Sequence, residues 1–368
     1  MTIRVLHVLA GLNSGGTESF IMNVYRNIDR NKIQFDFLLR QDSDPCTVKE
    51  VVAMGGRIYT LPPFPKKILG NYLELKRFFK ERAAEYQVVH VHCNSLIYIA
   101  PLFEAKKYNI PCRIVHSHNT QGANFRFVKY IHKFNKIRIK KLVTERFACS
   151  KLAGDWMFND SFKVINNAID VNKFKFNLQD REQIRKEFGI HGKFVIGHIG
   201  RFVEQKNHEF LVNIFHEVAK LDNDAVLLLI GEGPLQSKIR SKVEIEGLSE
   251  KIIFADSRKD IPNLLSAMDV MVLPSNFEGL GIVLVEAQAS GIKAITSKDV
   301  VPLEAKTTDL LEYLPLGAPV QLWADKILSN KEPYIRDDKF VEIKANGYEI
   351  SDLVERLQSF YLGNHGEV

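Results

Sequence analysis

The chain has 368 residues, a formal net charge of +6, 45% hydrophobic and 26% charged residues. At roughly 100–200 residues per domain that length favours two domains, each able to bury a core of its own. The mild charge argues against a nucleic-acid partner, and no apolar run approaches the ~18–20 residues of a bilayer span.

The N-terminal stretch MTIRVLHVLAGL turns polar too soon for a signal peptide and reads as a first β-strand. The four cysteines show neither a CxxC pair nor a zinc-ligand spacing. Cys93 and Cys112 lie in or beside apolar runs and read as buried small residues, so a reduced, cytoplasmic protein is expected.

Short β-branched runs alternate with helical patterns, which predicts α/β architecture with parallel sheets. In the first half the strands are expected at 4–10, 34–39, 57–60, 88–92, 113–116 and 146–149, with helices at 18–27, 72–85 and 128–143. The pattern breaks at 164–174, and the polar KFNLQDREQ after it reads as linker. A second series follows, with strands at 194–199, 225–230, 252–254, 270–273 and 293–296 and helices at 208–221, 234–246, 261–267 and 282–289. Beyond Thr307 helices are expected to dominate. The last one, from Ile350, carries an apolar stripe at Ile350, Leu353, Val354, Leu357 and Tyr361. Parallel α/β units bind ligands outside the carboxyl ends of their strands, and two units joined by a linker predict a cleft.

One segment carries the most chemistry. The strand 270–273 runs into Pro274-Ser275, then a turn, Asn276 to Gly281, with two glycines, then a helix that Gly291 is placed to end. A helix N-terminus at a strand's carboxyl end offers free amides and a dipole to a phosphate, and Gly279 and Gly281 permit close approach. Glu278 and Glu286 are eight residues apart. A fully helical interval of that length spans about 12 Å, the reach of a diphosphate between two sugars. Carboxylates there can each accept two hydroxyl donors. Upstream, GHIGRFVEQK ends a strand with a glycine followed by Arg201 and Lys206, cations suited to a leaving diphosphate.

FEGLGIVLVEAQASG resembles the donor motif of the retaining glycosyltransferases of family 4, and the resemblance extends over nearly the whole chain. It implies the GT-B fold: an acceptor-binding domain over 1–168, a nucleotide-sugar domain over 175–345, and a final helix of about 350–368 that packs back on the first domain. It implies donor contacts at Gly16, Arg201, Lys206, Glu278, Gly279, Leu280, Gly281 and Glu286, with Glu278 by the sugar and Glu286 on the ribose. Catalytic roles fall to His118, Glu278, Arg201 and Lys206. The implied reaction retains anomeric configuration, and the leaving phosphate assists the acceptor hydroxyl. No cofactor and no metal are then required, and the sequence shows no DxD-type acidic pair in a suitable loop. The GEGP turn at 231–234 and the segment 254–260 also match the family, although Ser257 stands where a glycine is commoner.

In the first half, LNSGGTE follows the opening strand and is a glycine turn into a helix that Thr17 can cap. It is not GxGxxG, so a dinucleotide cofactor is discounted. His90-Val91-His92 and His116-Ser117-His118 end two strands. A metal site is set aside because no Cys, Asp or Glu completes a ligand set. The resemblance instead places a histidine near the donor sugar, His118 first and His116 second. Ser150 reads as a helix cap, and NNAID at 166–170 as the interdomain crossing where the family reads PNGID.

Residues 126–146, RFVKYIHKFNKIRIKKLVTER, interleave cations with apolar residues. Such a helix either packs on its domain with a solvated charged face or meets anionic lipid at the inner face of a membrane. The overall pattern is similar to bacterial transferases that build capsular, exopolysaccharide or O-antigen chains. The expected partners are a nucleotide-sugar, UDP by default, and a saccharide or polyprenyl-diphosphate-linked acceptor. A sugar-nucleotide epimerase and a non-catalytic binding protein on the same fold stay open as alternatives.

Overall fold

The structure, a computed structural model, describes residues 2–13, 15–121 and 126–363, with the backbone alone at Arg126 and Phe127. The expected last helix therefore reaches outside the described residues beyond 363. The chain divides into two compact units, Met1–Ile169 with Glu349–Val368, and Asp170–Tyr348.

The first unit has strands β1 (Ile3–Val8), β2 (Ile33–Leu39), β3 (Arg57–Thr60), β4 (Val88–Cys93), β5 (Cys112–Ser117), β6 (Glu145–Ala148) and β7 (Lys163–Val164). They form one parallel sheet in the order β3-β2-β1-β4-β5-β6-β7. Its helices are α1 (Gly16–Asn27), α2 (Pro45–Ala53), α3 (Ile68–Arg82), α4 (Ala100–Lys107), α5 (Arg126–Arg138) and α6 (Lys151–Met157). The second unit has helix α7 (Leu178–Glu187), then β8 (Phe194–Ile199), α8 (His208–Leu221), β9 (Ala225–Ile230), α9 (Gln236–Ile245), β10 (Ile252–Phe254), α10 (Ile261–Ala267), β11 (Val270–Leu273), α11 (Ile282–Ala289), β12 (Lys293–Ser297), β13 (Leu311–Leu314), α12 (Val320–Leu328) and α13 (Phe340–Ala345). Its parallel sheet runs β10-β9-β8-β11-β12-β13. Both orders reverse beside the unit's first strand, as in doubly wound Rossmann sheets.

The last helix, α14 (Ile350–Tyr361), belongs to the first unit. Its apolar stripe is buried at Ile350, Leu353, Val354, Leu357, Phe360 and Tyr361, against Phe20 and Val24 of α1 and Phe35 of β2. The Ile350 N–H donates to the carbonyl of Ile169 at 2.9 Å, which ties the start of α14 to the end of the unit's first segment. The second core joins Ile196, Leu227 and Val272 of the sheet to Leu211 and Phe215 of α8 and Trp323 of α12.

Several elements differ from the sequence expectation. The stretch read as linker contains α7, capped by Asn177, whose side chain accepts from the N–H groups of Gln179 and Asp180. Its periodicity is hidden because Ile184 is its one buried apolar residue. Its other inward residues are arginines: Arg181 and Arg185 each hold an oxygen of Asp269 at 2.6 Å. Strand β13 lies where helices are expected to dominate; LEYL is short and only its first residue is buried. Thr17 is not a cap. Helix α1 starts at Gly16, after Gly15, with no side-chain cap. Ser150 does cap α6, its Oγ accepting from the Ala153 N–H at 3.2 Å. Cys112 is buried, whereas Cys93 is only partly so.

Candidate active site

In the second unit the strand order reverses between β8 and β11. Ligands of such sheets sit where the loops leaving those two strands part. After β8 the chain runs Gly200-Arg201-Phe202, makes one 3₁₀ turn over Glu204–Lys206, and enters α8 through Asn207, left-handed at φ 55°. The GEGP turn packs directly on this loop. The Phe202 N–H donates to the Glu232 carbonyl at 3.0 Å, and the Leu235 N–H to the Phe202 carbonyl at 3.0 Å. A Cβ on Gly231 (φ 135°) would stand 2.2 Å from the Gly200 oxygen. The glycines of this turn are therefore needed for backbone-on-backbone contact.

The loop leaving β11 is laced to the loop leaving β8. Asn276 donates from its backbone to Gln205 O at 2.8 Å and from its side chain to Glu204 O at 2.7 Å. Asn207 returns the contact to Pro274 O at 3.1 Å. Between them lies Glu278. Its Oε1 pairs with Lys206 Nζ at 2.6 Å and accepts from the Ser275 hydroxyl at 2.7 Å. Its Oε2 accepts from Gln205 Nε2 at 3.1 Å. The side chains are 6% and 17% exposed for Glu278 and Lys206, so the pair is largely withdrawn from water. Two of the expected site residues thus meet directly, and Ser275 and Gln205, which sequence reasoning missed, hold the carboxylate with them. No sequence spacing pairs them; only the fold brings the two loops together.

Gly281, left-handed at φ 81°, precedes the first residue of helix α11, and no side chain caps the helix. Its first turn keeps its amide dipoles for an anion. Leu280 is buried, so its side chain anchors the turn and only its backbone is available to a ligand. Gln288 locks the other end: its amide donates to Leu284 O and Ala305 O, and its oxygen accepts from the N–H groups of Thr307 and Thr308. Because the helix starts at Ile282, it covers only the second half of the Glu278–Glu286 interval. The helical rise of about 12 Å therefore does not describe their separation. Glu286 has no side-chain hydrogen-bond partner among the described residues, and desolvation pushes its carboxyl up to about 7.

Arg201 is exposed and makes no ion pair among the described residues. It shares its loop with Lys206 but stays outside the Lys206–Glu278 cluster. In the loop after β10 the left-handed residue is Asp256 (φ 48°), not Ser257, so no glycine is required at 257. The Asp256 carbonyl accepts from the Gly231 N–H at 2.7 Å, and the Ser257 N–H donates to Glu232 Oε1 at 3.3 Å.

In the first unit, His118 directly follows β5 and is partly exposed. It is the end of a hydrogen-bonded row: His118 Nε2 lies 2.8 Å from His92 Nδ1, and His92 Nε2 lies 2.9 Å from His7 Nδ1. A second row lies on the first. His116 Nδ1 is 3.2 Å from His90 Nε2, and His90 Nδ1 is 2.9 Å from the Tyr361 hydroxyl. His116 is thus an inner, fully buried member, and His118 the outer one. Burial lowers all five imidazoles below the usual histidine range, to about 3 for His7 and His118, so the rings are neutral.

A set of three ligands forms here without any Cys, Asp or Glu. The fold brings the two histidine pairs side by side and adds His7 to the first, which gives two sets of three imidazoles, His7/His90/His92 and His92/His116/His118, with ligand atoms within 4.8 Å. Their geometry suits hydrogen bonding better than metal binding. His90 stacks on His92, and His116 on His118, at 4.1 Å between centroids, so the lone pairs run side by side instead of converging. The paired nitrogens also stand closer than the about 3.3 Å that separates two nitrogens on a tetrahedral zinc.

Comparison with known proteins places the chain in a family. Residues 180–307 match the family model described as glycosyl transferases group 1, and residues 14–173 that of glycosyltransferase family 4. The chain is 32% identical over 335 residues to the putative glycosyltransferase EpsF of Bacillus subtilis, covering 88% of this chain and 86% of that one. It is 25% identical to a UDP-Gal:alpha-D-GlcNAc-diphosphoundecaprenol alpha-1,3-galactosyltransferase of Escherichia coli, covering 98% and 95%. Among solved structures, Anabaena Alr3699/HepE in complex with UDP-glucose superposes with a TM-score of 0.72 at 17% identity, covering 98% and 95%, a likeness of fold. With two Rossmann-like units of the GT-B fold, the chain belongs to glycosyltransferase family 4 and is a glycosyltransferase.

Proposed function

We propose that the enzyme moves a sugar, with retention of configuration, from a UDP-sugar to a saccharide carried on a lipid diphosphate. The observation that carries this reading is the withdrawn Lys206–Glu278 pair beside the uncapped start of α11. Lys206, Arg201 and the α11 amides stabilise the diphosphate as negative charge grows on it. Glu278 accepts hydroxyls of the donor sugar, and Glu286 those of the ribose. The bond from the anomeric carbon to the diphosphate oxygen breaks while the acceptor oxygen bonds to the same face. The acceptor's proton passes to the departing phosphate oxygen. His118 hydrogen-bonds the sugar or the acceptor, and Gly16 borders the phosphates. Two cations and a helix terminus already meet the leaving group's charge, so no metal or other cofactor is needed. The names of the Escherichia coli and Anabaena relatives support UDP and a diphosphate-linked acceptor.

A thermal-shift screen against UDP-, GDP-, ADP- and dTDP-sugars tests the donor. A ligand at ~100 times its dissociation constant adds about 2.7 kcal/mol, so one nucleotide class should stand clear of the rest. NMR of the glycosidic product reads the anomer, and turnover should survive EDTA. Conversion of the donor without acceptor would identify an epimerase instead.

The same reading places the first unit against the inner face of an anionic membrane. Helix α5 exposes Tyr130, Phe134 and Ile137 in one stripe, flanked by exposed Lys129, Lys133 and Arg138. The start of α3 adds exposed Ile68, Leu69, Tyr72 and Leu73 next to Lys66 and Lys67, a contribution the sequence reading lacked. Between α3, α4 and α5 runs a groove of about 450 Å³ lined by Phe64, Ile68, Tyr72, Ile99, Phe103 and Arg138. Apolar side chains rimmed by cations suit an interfacial surface. No helix among the described residues is long and apolar enough to cross a membrane.

A further inference from the structure

His7, His92 and His118 come from the carboxyl ends of the three neighbouring strands β1, β4 and β5. Alternation along the strands puts His90 and His92 on one face of the sheet and His116 and His118 beside them, beneath α1 and α14. Phe20 of α1 packs edge-on against His116 at 5.2 Å. Tyr361 of α14 closes the inner row. At the far end of the outer row, His7 lies against Phe35 at 4.1 Å between centroids.

The two rings at each junction of the outer row are close to side by side, with interplanar angles of 18° for His7–His92 and 30° for His92–His118. Each neutral imidazole carries one N–H. The row's two N···N contacts consume two of its three protons. The third sits at one end, on His118 Nδ1 or on His7 Nε2, and both of these atoms are buried without a hydrogen-bond partner among the described residues. Only two neutral arrangements satisfy both contacts. Either all three rings carry the proton on Nδ1, or all three carry it on Nε2. A mixed set leaves two donors or two bare lone pairs face to face inside the protein, which is costly.

We propose that His92 and His7 are positioning residues for His118: the row couples the three tautomers, so whether His118 offers a donor or an acceptor at its free nitrogen is set jointly with His92 and His7. The inner row supports the outer one by stacking, at 4.1 Å for both His90 on His92 and His116 on His118. Burial of all members holds the row neutral, so the choice persists across the physiological pH range. The consequence for turnover rests on the reading of His118 as a substrate-contacting residue; the coupling of tautomers does not.

Long-range ¹⁵N–¹H NMR of the histidine-labelled full chain tests the coupling directly. Wild type should show His7, His92 and His118 in one shared tautomer, unchanged between pH 6 and 8. Mixed tautomers, or titration of any of the three near 6.5, would overturn the proposal. In His92→Phe, His118 should populate both tautomers and kcat should fall at least about tenfold while the donor KM moves less than about threefold. An unchanged kcat with a scrambled His118 tautomer overturns the positioning role. Should His92→Phe fail to fold, His7→Phe cuts the row at its far end and should release the tautomer with a smaller loss of kcat. Tyr361→Phe alters only the inner row and should leave the His118 tautomer as it is. Full activity in His118→Gln would sink the substrate-contact reading while leaving the NMR result standing.

Discussion

Lys206 Nζ lies 2.6 Å from Glu278 Oε1 and joins the two loops on either side of the strand-order reversal. Removing Lys206 alone leaves a buried carboxylate without its cation, with the neutral Ser275 and Gln205 among its remaining partners. Lys206→Met should therefore destabilise the second unit by about 1–3 kcal/mol. The double variant Lys206→Met/Glu278→Gln should recover most of that loss, because neither charge is then left unpaired. Donor binding should stay abolished in both. Urea melts alongside calorimetric titration separate the two effects; a double variant that regains donor affinity would make the pair merely structural.

Gly231 is the most constrained glycine beside the site. An added Cβ strikes the Gly200 oxygen at 2.2 Å, and φ is 135°. Gly231→Ala should cost about 2 kcal/mol or more and weaken donor affinity by displacing the loop that carries Arg201. Gly247→Ala is the control. Its φ is 69° but nothing lies within 4 Å of an added Cβ, so it should cost about 1 kcal/mol and leave donor affinity unchanged.

Glu286 gives a pH signature. Its folded-state pKa of about 7 stands above the ordinary value of 4.5. The native state therefore binds this proton more readily than the unfolded chain. The associated stability is complete below about pH 4.5 and is lost as pH rises through about 7. Glu286→Gln keeps a neutral group at every pH, so at pH 8 it should be more stable than wild type by about 1–2 kcal/mol, and equal to it near pH 4.5. Wild-type donor affinity should rise through about pH 7 as the carboxylate ionises, while the Gln variant binds weakly with no such rise. Melting curves and titrations at both pH values check the pair of effects.

The sheets and the last helix were legible because their residues form a continuous buried apolar run, as in Ala225–Ile230, or a stripe at helical spacing, as along α14. Helix α7 was not, since its inward arginines look like surface charge until Asp269 is placed opposite them. At the site, the motif around Glu278 exposed the residue types, but not that Glu278 and Lys206 bind each other. That fact depends on two loops that are more than sixty residues apart in sequence and adjacent only once β11 pairs with β8. The histidine pairs were visible as i, i+2 doublets. His7 was not visible as their third member, because a single histidine in an apolar strand carries no periodic signal.

The exposed face of α3 and α5 predicts lipid-dependent behaviour. Vesicles containing phosphatidylglycerol should carry the protein in flotation at low salt, and phosphatidylcholine vesicles should not. Lys129→Glu/Lys133→Glu should weaken flotation and its salt dependence together. Phe134→Ser/Ile137→Ser should weaken flotation at every salt concentration. Both pairs are exposed, so melting temperatures should hardly change.

The central claim is that a nucleoside diphosphate sits at the start of α11 against Lys206. Calorimetric titration of UDP into wild type, Lys206→Ala and His118→Gln tests it most directly. The account predicts one site per chain in wild type, at least about a hundredfold loss in Lys206→Ala, and an affinity within about twofold of wild type in His118→Gln. Undiminished UDP binding in Lys206→Ala, or no binding of any nucleoside diphosphate to wild type, would contradict it.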